Sequence, residues 1–164
     1  MNFFSNPKVI DVDTGEIQVS SEPVILQSIA LGSCVALVVY DRNMKIGGIA
    51  HIMLPGKSPS AINTKFSADA IKVLINSFKE LGSLITDLEI SIVGGANVLR
   101  EGNIPDKVIK SVLYYLKKSN LELNNMRVGG VERRSVFLDI ESGNVFYTEG
   151  NSTKKILLKE IEYI

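Results

Sequence analysis

The chain has 164 residues, of which 45% are hydrophobic and 22% are charged, a composition that suits one globular domain with one sizeable core. Eighteen basic residues balance eighteen acidic ones, so the net charge gives no attraction to nucleic acid or anionic lipid, and we expect no nucleic-acid partner. A single cysteine and a single histidine exclude an intrachain disulfide framework and multi-ligand zinc patterns.

We expect a cytoplasmic protein without a membrane anchor. The first residues, Met1 to Pro7, lack the basic leader and long apolar run of a signal peptide, and no later stretch approaches the ~20 apolar residues that span a bilayer. The sequence contains no repeat, linker or low-complexity tract, so we assign residues 1–164 to a single domain.

The first half of the chain predicts strands. Residues 8–12 and 17–20 alternate around a polar Asp-Thr-Gly-Glu run, which predicts a hairpin. Residues 34–40 form a β-branched apolar run that suits a central strand with both faces covered, and residues 46–54 predict the strand that returns beside it. Cys34 and His51 would then lie on neighbouring elements.

Two helices are predicted in the second half. Apolar residues recur at helical spacing over residues 66–81, and Gly82 suits the left-handed conformation that ends a helix. Residues 88–93 predict a strand. The second helix begins near Pro105, where proline suits the first turn, and ends near Asn120.

The remaining strand patterns cover residues 121–128, 135–140, 145–147 and 156–161. Strands outnumber helices and are mostly joined by short turns rather than helical crossovers. We therefore expect an α+β layered fold built on antiparallel or mixed sheets, rather than a doubly wound one.

Cys34 is the candidate nucleophile. Taken alone, a free cysteine is most simply a small buried hydrophobe. Gly32 and Ser33, however, place flexible backbone directly before it, at the junction of a loop and a strand. A thiolate can be exposed there, and the N–H groups of Ser33 and Cys34 can face a developing oxyanion.

His51 is the candidate base. Alone it is most simply a hydrogen-bonded structural residue, but a histidine near the end of the partner strand can approach Cys34, and a thiolate–imidazolium pair lowers the pKa of the thiol. A third group that orients the imidazole is then expected. Ser28 is a candidate on the adjacent strand; the alternative is a buried hydroxyl bonded to backbone.

These residues lie in runs that resemble a known family. Leu-Gly-Ser-Cys-Val-Ala at 31–36 and Gly-Gly-Ile-Ala-His-Ile-Met-Leu-Pro at 47–55 are similar to the signature of the chemoreceptor glutamine deamidases, the CheD family. Gly-Gly-Ala-Asn at 94–97 and the run from Gly129 to Val145 stand where that family has its later glycine elements. The similarity extends from about Val24 to Phe146.

The resemblance implies a Cys-His-Thr site on a sandwich of sheets flanked by helices, similar to toxin deamidases of the cytotoxic necrotizing factor type. Cys34 and His51 match directly, and Ser28 stands at the family threonine, keeping the hydroxyl without the methyl group. The implied reaction converts glutamine side chains of bacterial chemoreceptors to glutamate and needs no metal or organic cofactor. Residues 100–105 depart from the family pattern.

Two other functions are compatible with the same resemblance. One is a non-catalytic adaptor that has lost the activity and binds chemoreceptors or a CheC-type phosphatase through the surface of the former active site. The other is a cysteine hydrolase that acts on another amide or on receptor methyl esters. Retention of both Cys34 and His51 favours catalysis, because a docking surface has no chemical need for them.

Overall fold

The computed structural model describes residues 6–164, so the expectation about a leader rests in part on residues 1–5, which lie outside the described part. The described chain forms two α-helices, α1 (Ser67–Glu80) and α2 (Ile104–Lys118), and a short 3-10 helix at Ile85–Asp87. Its strands are β1 (Val9–Asp11), β2 (Ile17–Ser20), β3 (Ile25–Leu31), β4 (Val35–Asp41), β5 (Ile46–Ile52), β6 (Leu88–Gly94), β7 (Leu123–Val128), β8 (Arg134–Asp139), β9 (Val145–Glu149), β10 (Lys155–Ile156) and β11 (Ile161–Tyr163).

The strands form two mixed sheets. The smaller sheet has the order β1-β3-β8-β9-β10, and the larger sheet has the order β11-β7-β6-β4-β5-β2. Most neighbours are antiparallel, but β1 with β3, β6 with β7 and β7 with β11 are parallel. The α+β layered arrangement of mixed sheets is therefore confirmed.

The larger sheet lies between the smaller sheet and the two helices. Along the central strand β4, Val35, Leu37 and Val39 face a core shared with α1 and α2. Ala36 and Val38 face the second core, between the two sheets. Both faces of β4 are buried, which explains why its sequence shows an unbroken apolar run.

The helices form where their apolar stripes predict them. α1 buries one face against the larger sheet, and Gly82 follows it with φ +98°, the conformation that glycine adopts most readily. α2 has Pro105 in its first turn, where proline fits the helix. Lys117 and Lys118 lie in its last turn, where their positive charges interact favourably with the negative end of the helix dipole. Within residues 6–164, no helix is both long and apolar enough to cross a membrane.

The predicted N-terminal hairpin is wrong. Both strands exist, but β1 pairs in parallel with β3 in the smaller sheet, whereas β2 pairs antiparallel with β5 in the larger sheet. The polar run between them crosses from one sheet to the other. Its backbone groups bind β5: the Gly15 N–H donates to the His51 carbonyl (2.8 Å) and the His51 N–H donates to the Glu16 carbonyl (3.0 Å).

The predicted strand over residues 156–161 is also wrong as a single element. It divides into β10, on the edge of the smaller sheet, and β11, on the edge of the larger one. Leu157 is buried between these strands, and Lys159 has φ 51°, a left-handed conformation that bends the chain. Local alternation cannot show that a run changes sheets halfway.

Candidate active site

Cys34 lies in the short link between β3 and β4, and the end of β6 fixes its backbone. The Gly95 N–H donates to the Cys34 carbonyl and the Ala96 N–H donates to the Gly32 carbonyl, both at 2.8 Å. A Cβ at Gly94, where φ is +121°, would lie 2.4 Å from the Cys34 oxygen, so only glycine allows this approach. The nucleophile candidate therefore stands on a rigid link.

The strand register places His51 on the side of the larger sheet against which Cys34 packs, although Cys34 itself precedes β4. His51 pairs with Ala36 across the β4–β5 ladder, and Cys34 lies two residues before Ala36. Residues two apart share a face, and Cys34 packs partly against the core between the sheets. Diagonal neighbours of this kind have Cα atoms about 7–8 Å apart, within reach of long side chains.

A backbone carbonyl orients the imidazole of His51. The ring is 6% exposed, and its Nδ1 lies 2.9 Å from the carbonyl oxygen of Val12. Because a carbonyl oxygen only accepts hydrogen bonds, Nδ1 carries the proton in the neutral ring, which leaves the lone pair on Nε2. A base with a fixed tautomer is what general-base catalysis requires.

Ser28 reaches the same acceptor. It is buried on the inner face of the smaller sheet, and its hydroxyl donates to the Val12 carbonyl at 2.8 Å. Within residues 6–164, no hydrogen bond joins Ser28 to His51 directly. Ser28 thus fixes the carbonyl that orients the ring, rather than the ring itself.

Burial has the largest effect on the pKa of the Cys34 thiol. Burial raises its pKa above the ordinary value of 9.0, and a hydrogen bond with the side chain of Thr14 lowers it by less. The raised pKa follows because desolvation penalises the charged thiolate.

Two parts of this site carry no signal in the sequence. Val12 acts through its carbonyl, which any residue would supply. Thr14 lies in a polar run that has the composition of an ordinary turn. Only the crossing of residues 12–16 between the sheets brings both groups to the site.

Cys34 opens into a groove of about 750 Å³. Leu99 and Ile104, which are 78% and 52% exposed, contribute apolar surface, while Glu101 and Arg133 contribute opposite charges. The wall includes part of the segment at residues 100–105 that departs from the family pattern. Other residues that line the groove are Ala30, Gly32, Ser33, Ala96, Asn97, Val98, Gly102 and Pro105.

An ion-pair network lies behind the Cys34 link. Arg134, which is 1% exposed, donates to the carbonyls of Gly94 (3.1 Å) and Gly129 (2.7 Å) and to the carboxylate of Glu149 (2.9 Å). Arg127 binds the same carboxylate through two nitrogens. The two guanidinium groups hold the pKa of Glu149 at about 2.

Comparison with known proteins identifies the family. The family model described as CheD chemotactic sensory transduction matches residues 53–149, a stretch that begins two residues after His51. A probable chemoreceptor glutamine deamidase CheD of Methanococcus vannielii is 36% identical over 154 residues, covering 90% of this chain and 99% of the relative. The chemoreceptor glutamine deamidase CheD of Thermotoga maritima is 32% identical over 157 residues, covering 94% and 99%.

The chain therefore belongs to the CheD family, a family of chemotaxis proteins. A solved structure of a hypothetical protein, YfiH of Bacillus licheniformis, superposes with a TM-score of 0.43 at 12% identity, covering 70% of this chain and 49% of that one. Within residues 6–164, no group of three or more His, Cys, Asp or Glu side chains could hold a metal ion.

Proposed function

We propose that this chain is a cysteine amidohydrolase that converts glutamine side chains of chemoreceptors to glutamate in the cytoplasm. One observation carries the proposal: Cys34 packs on the side of the larger sheet to which His51 belongs, with Cys34 lining an open groove and the ring bonded through Nδ1 to a carbonyl. The names of the relatives supply the substrate, since they are chemoreceptor glutamine deamidases.

In the first half of the reaction, Nε2 of His51 takes the proton of the Cys34 thiol as the sulfur attacks the carboxamide carbon of the glutamine. The carbonyl oxygen becomes an oxyanion. The imidazolium then gives its proton to the amide nitrogen, the carbon–nitrogen bond breaks, and ammonia leaves behind a thioester.

In the second half, His51 takes a proton from water, whose oxygen attacks the thioester carbon. The carbon–sulfur bond breaks, and the sulfur departs as a thiolate that recovers its proton from His51. The products are a glutamate side chain and ammonia, so the receptor gains one negative charge for each glutamine. No step requires a cofactor.

The link before β4 supplies donors for the oxyanion. Among the described residues, neither the Ser33 N–H nor the Cys34 N–H donates a backbone hydrogen bond outside the regular ladders. Ser33 also lines the groove beside the thiol. Fixed N–H groups next to a nucleophile stabilise the negative oxygen without reorganisation, which lowers the barrier.

The deciding experiment is incubation of the purified protein with a chemoreceptor cytoplasmic fragment, followed by peptide mass spectrometry. We expect the mass increase of amide-to-acid conversion at particular glutamines. Cys34→Ala is the matched control, because it removes the nucleophile and only a small side-chain volume. A wild-type protein that leaves every glutamine unchanged, or a Cys34→Ala variant that turns over fully, would contradict the proposal.

A further inference from the structure

A second groove, of about 570 Å³, is lined by residues of both helices. α1 lines it from Ala68 to Lys79, and α2 lines it with its last turn, around Lys118. Because an α-helix rises about 1.5 Å per residue, the wall formed by α1 is about 16 Å long, or roughly three turns. This surface, here called the α1–α2 groove, is separate from the groove beside Cys34.

Positive charge is concentrated in the α1–α2 groove. The charged side chains of its lining give an excess of three positive charges: Lys57, Lys72, Lys79 and Lys118 against Asp69. The whole chain, by contrast, has no net charge. Within residues 6–164, none of these four lysines forms a salt bridge with a carboxylate. Their charges are therefore available to a partner.

The acidic side chain of the lining is already engaged by the fold. Asp69 is 6% exposed, and its carboxylate accepts hydrogen bonds from the N–H groups of Asn63 (2.8 Å) and Ser58 (3.4 Å). These bonds fix the loop that precedes α1. Lys72 and Lys79, in contrast, are exposed to solvent.

The lysines of α1 are regularly spaced. Lys72 and Lys79 are seven residues apart, about two turns, so they lie on one side of the helix and about 10.5 Å apart along its axis. Asn76 lies between them and also lines the groove. On the opposite wall, the ammonium group of Lys118 is 5.9 Å from the ring centre of Tyr115. The basic side chains thus follow the length of the groove.

Apolar side chains accompany the lysines. Three isoleucines contribute to the lining: Ile71, Ile75 and Ile85. Near one end, Ile62 is 68% exposed and shares a small adjoining pocket with Lys72. Near the other end, Leu84 is 64% exposed and directly precedes Ile85. Exposed apolar side chains grouped beside a charged groove are typical of a surface that binds another molecule.

We propose that the α1–α2 groove binds an acidic, amphipathic helix of a partner protein, with the apolar stripe of that helix against the isoleucines and its carboxylates facing the lysines. Amphipathic helices bind grooves through apolar side chains that recur every three or four residues. Carboxylates seven residues apart on such a helix have the same axial spacing as Lys72 and Lys79. The proposal does not rest on the proposed deamidation.

Two other anionic partners fit the groove less well. A single phosphate is bound best by converging donors, often of arginine, but the lining contains no arginine and its lysines are spread over both helices. A membrane surface is flat, so its headgroups would reach the exposed lysines without entering the space between the helices. A helix of a partner protein can do both.

The α1–α2 groove and the groove beside Cys34 lie towards opposite ends of α2. Pro105 lines the groove beside Cys34 and Lys118 lines the α1–α2 groove, which separates them by about 20 Å along the helix. A partner bound at the lysines should therefore leave the Cys34 thiol accessible. Its rate of alkylation by iodoacetamide should not change when the partner binds.

The test measures the binding of a fluorescent synthetic peptide to the full chain by fluorescence anisotropy. The peptide is an alanine-rich helix of about 14 residues with leucines on one face and glutamates on the flanks. We expect Lys72→Gln combined with Lys79→Gln to weaken binding at least about tenfold, because two attractive charges are lost. Lys107→Gln combined with Lys155→Gln makes the same charge change outside the groove, so this matched control should bind within about twofold of the wild type.

A scrambled peptide of the same composition separates the apolar contribution from charge alone. Because it has no apolar stripe, we expect it to bind the wild type at least about fivefold more weakly. Added salt should weaken the binding of the amphipathic peptide to the wild type more than to the Lys72→Gln, Lys79→Gln variant. Thermal unfolding of each variant checks that it is folded.

Equal binding of the amphipathic peptide by the wild type and the Lys72→Gln, Lys79→Gln variant would overturn the site. Equal binding of the two peptides would overturn the helical partner, and a peptide that slows alkylation of Cys34 would show that it binds at the thiol instead. Co-sedimentation with phosphatidylserine–phosphatidylcholine vesicles is the second arm. Vesicle binding that requires the two lysines, without peptide binding, would assign the groove to a lipid surface. Each outcome is independent of whether the chain deamidates a receptor fragment.

Discussion

At the residue scale, a backbone carbonyl contacts both the His51 ring and the Ser28 hydroxyl that the sequence predicted to orient it. The Val12 carbonyl has two lone pairs, and the Ser28 hydroxyl and the His51 ring each donate to it. The tautomer of the ring is therefore set by the fold and does not depend on which hydroxyl residue stands at position 28.

This arrangement predicts that substitutions of Ser28 change the stability and the rate of deamidation by different, limited amounts. Ser28→Ala removes one buried hydrogen bond, so the free energy of unfolding should fall by about 1 kcal/mol, but the bond from His51 to Val12 remains. We expect the rate of deamidation to fall by less than about tenfold, which corresponds to about 1.4 kcal/mol of barrier. Ser28→Thr should match or exceed the wild type, because threonine has fewer rotamers.

Urea denaturation and receptor-fragment kinetics measure the two effects, and His51→Ala is the reference for complete loss of the base. A Ser28→Ala protein as inactive as His51→Ala would mean that the hydroxyl acts on the reaction itself, and not only on the Val12 carbonyl.

At the scale of elements, the link that carries Cys34 depends on the ends of β6 and β7. The parallel strands end in Gly94-Gly95 and Gly129-Gly130, and Arg134 binds a carbonyl of each pair. A central strand, its hairpin partner and both helices could be predicted from periodicity alone. The crossing of residues 12–16 between the sheets and the division of the last strand could not, because local alternation does not specify which sheet supplies a strand's partner.

Gly94→Ala tests how tightly the link is held. The new Cβ would lie 2.4 Å from the Cys34 oxygen, at φ +121°, so either β6 or the link must move. We expect a loss of at least about 2 kcal/mol in the free energy of unfolding, together with altered alkylation of Cys34.

The matched control is Gly102→Ala, which has φ +65° but open space around the new Cβ. It carries backbone strain without a clash, so we expect a loss of about 1 kcal/mol and unchanged alkylation. Equal effects of the two substitutions would show that the contact with Cys34 has no influence on the link.

At the scale of the whole molecule, the network around Glu149 joins β7, β8 and β9 and makes stability depend on pH. The pKa of Glu149 is about 2 in the folded chain and ordinarily 4.5, so the unfolded chain binds more protons between these values. The stabilisation is complete above about pH 4.5 and is lost as the pH falls towards 2.

Glu149→Gln should flatten this acid dependence. We expect the free energy of unfolding of the wild type to fall by on the order of 2 kcal/mol more than that of the variant between pH 5 and pH 2.5, as followed by urea denaturation. Glu101→Gln, an exposed change in the groove, is the control and should keep the wild-type slope. Parallel curves for wild type and Glu149→Gln would contradict the assignment.

The sequence alone indicated the part of the candidate site that consists of rare residue types. One cysteine and one histidine can form only one pair, and strand pairing places them on neighbouring elements. The contacts of Val12 and Arg134 were not predictable, because they are long-range: Val12 lies 39 residues before His51 in the sequence, and Arg134 lies 40 residues after Gly94.

The groove beside Cys34 also bears on regulation by a partner. With no net charge, the chain would recognise any partner through local surface, and Leu99 and Ile104 are exposed apolar side chains that line the groove beside the thiol. We expect a CheC-type protein that uses this groove to compete with the receptor. Deamidation of a receptor fragment should then fall as the organism's own CheC-like protein is added, with little dependence on salt.

Leu99→Asp provides the matched variant, because it places a charge in the groove wall without altering Cys34 or His51. It should weaken inhibition by the CheC-like protein at least about tenfold, since burying an unpaired charge opposes binding, while alkylation of Cys34 stays as in the wild type. Deamidation that continues unchanged at saturating complex would rule out occlusion. It would also indicate that the unusual segment at residues 100–105 serves a different regulator.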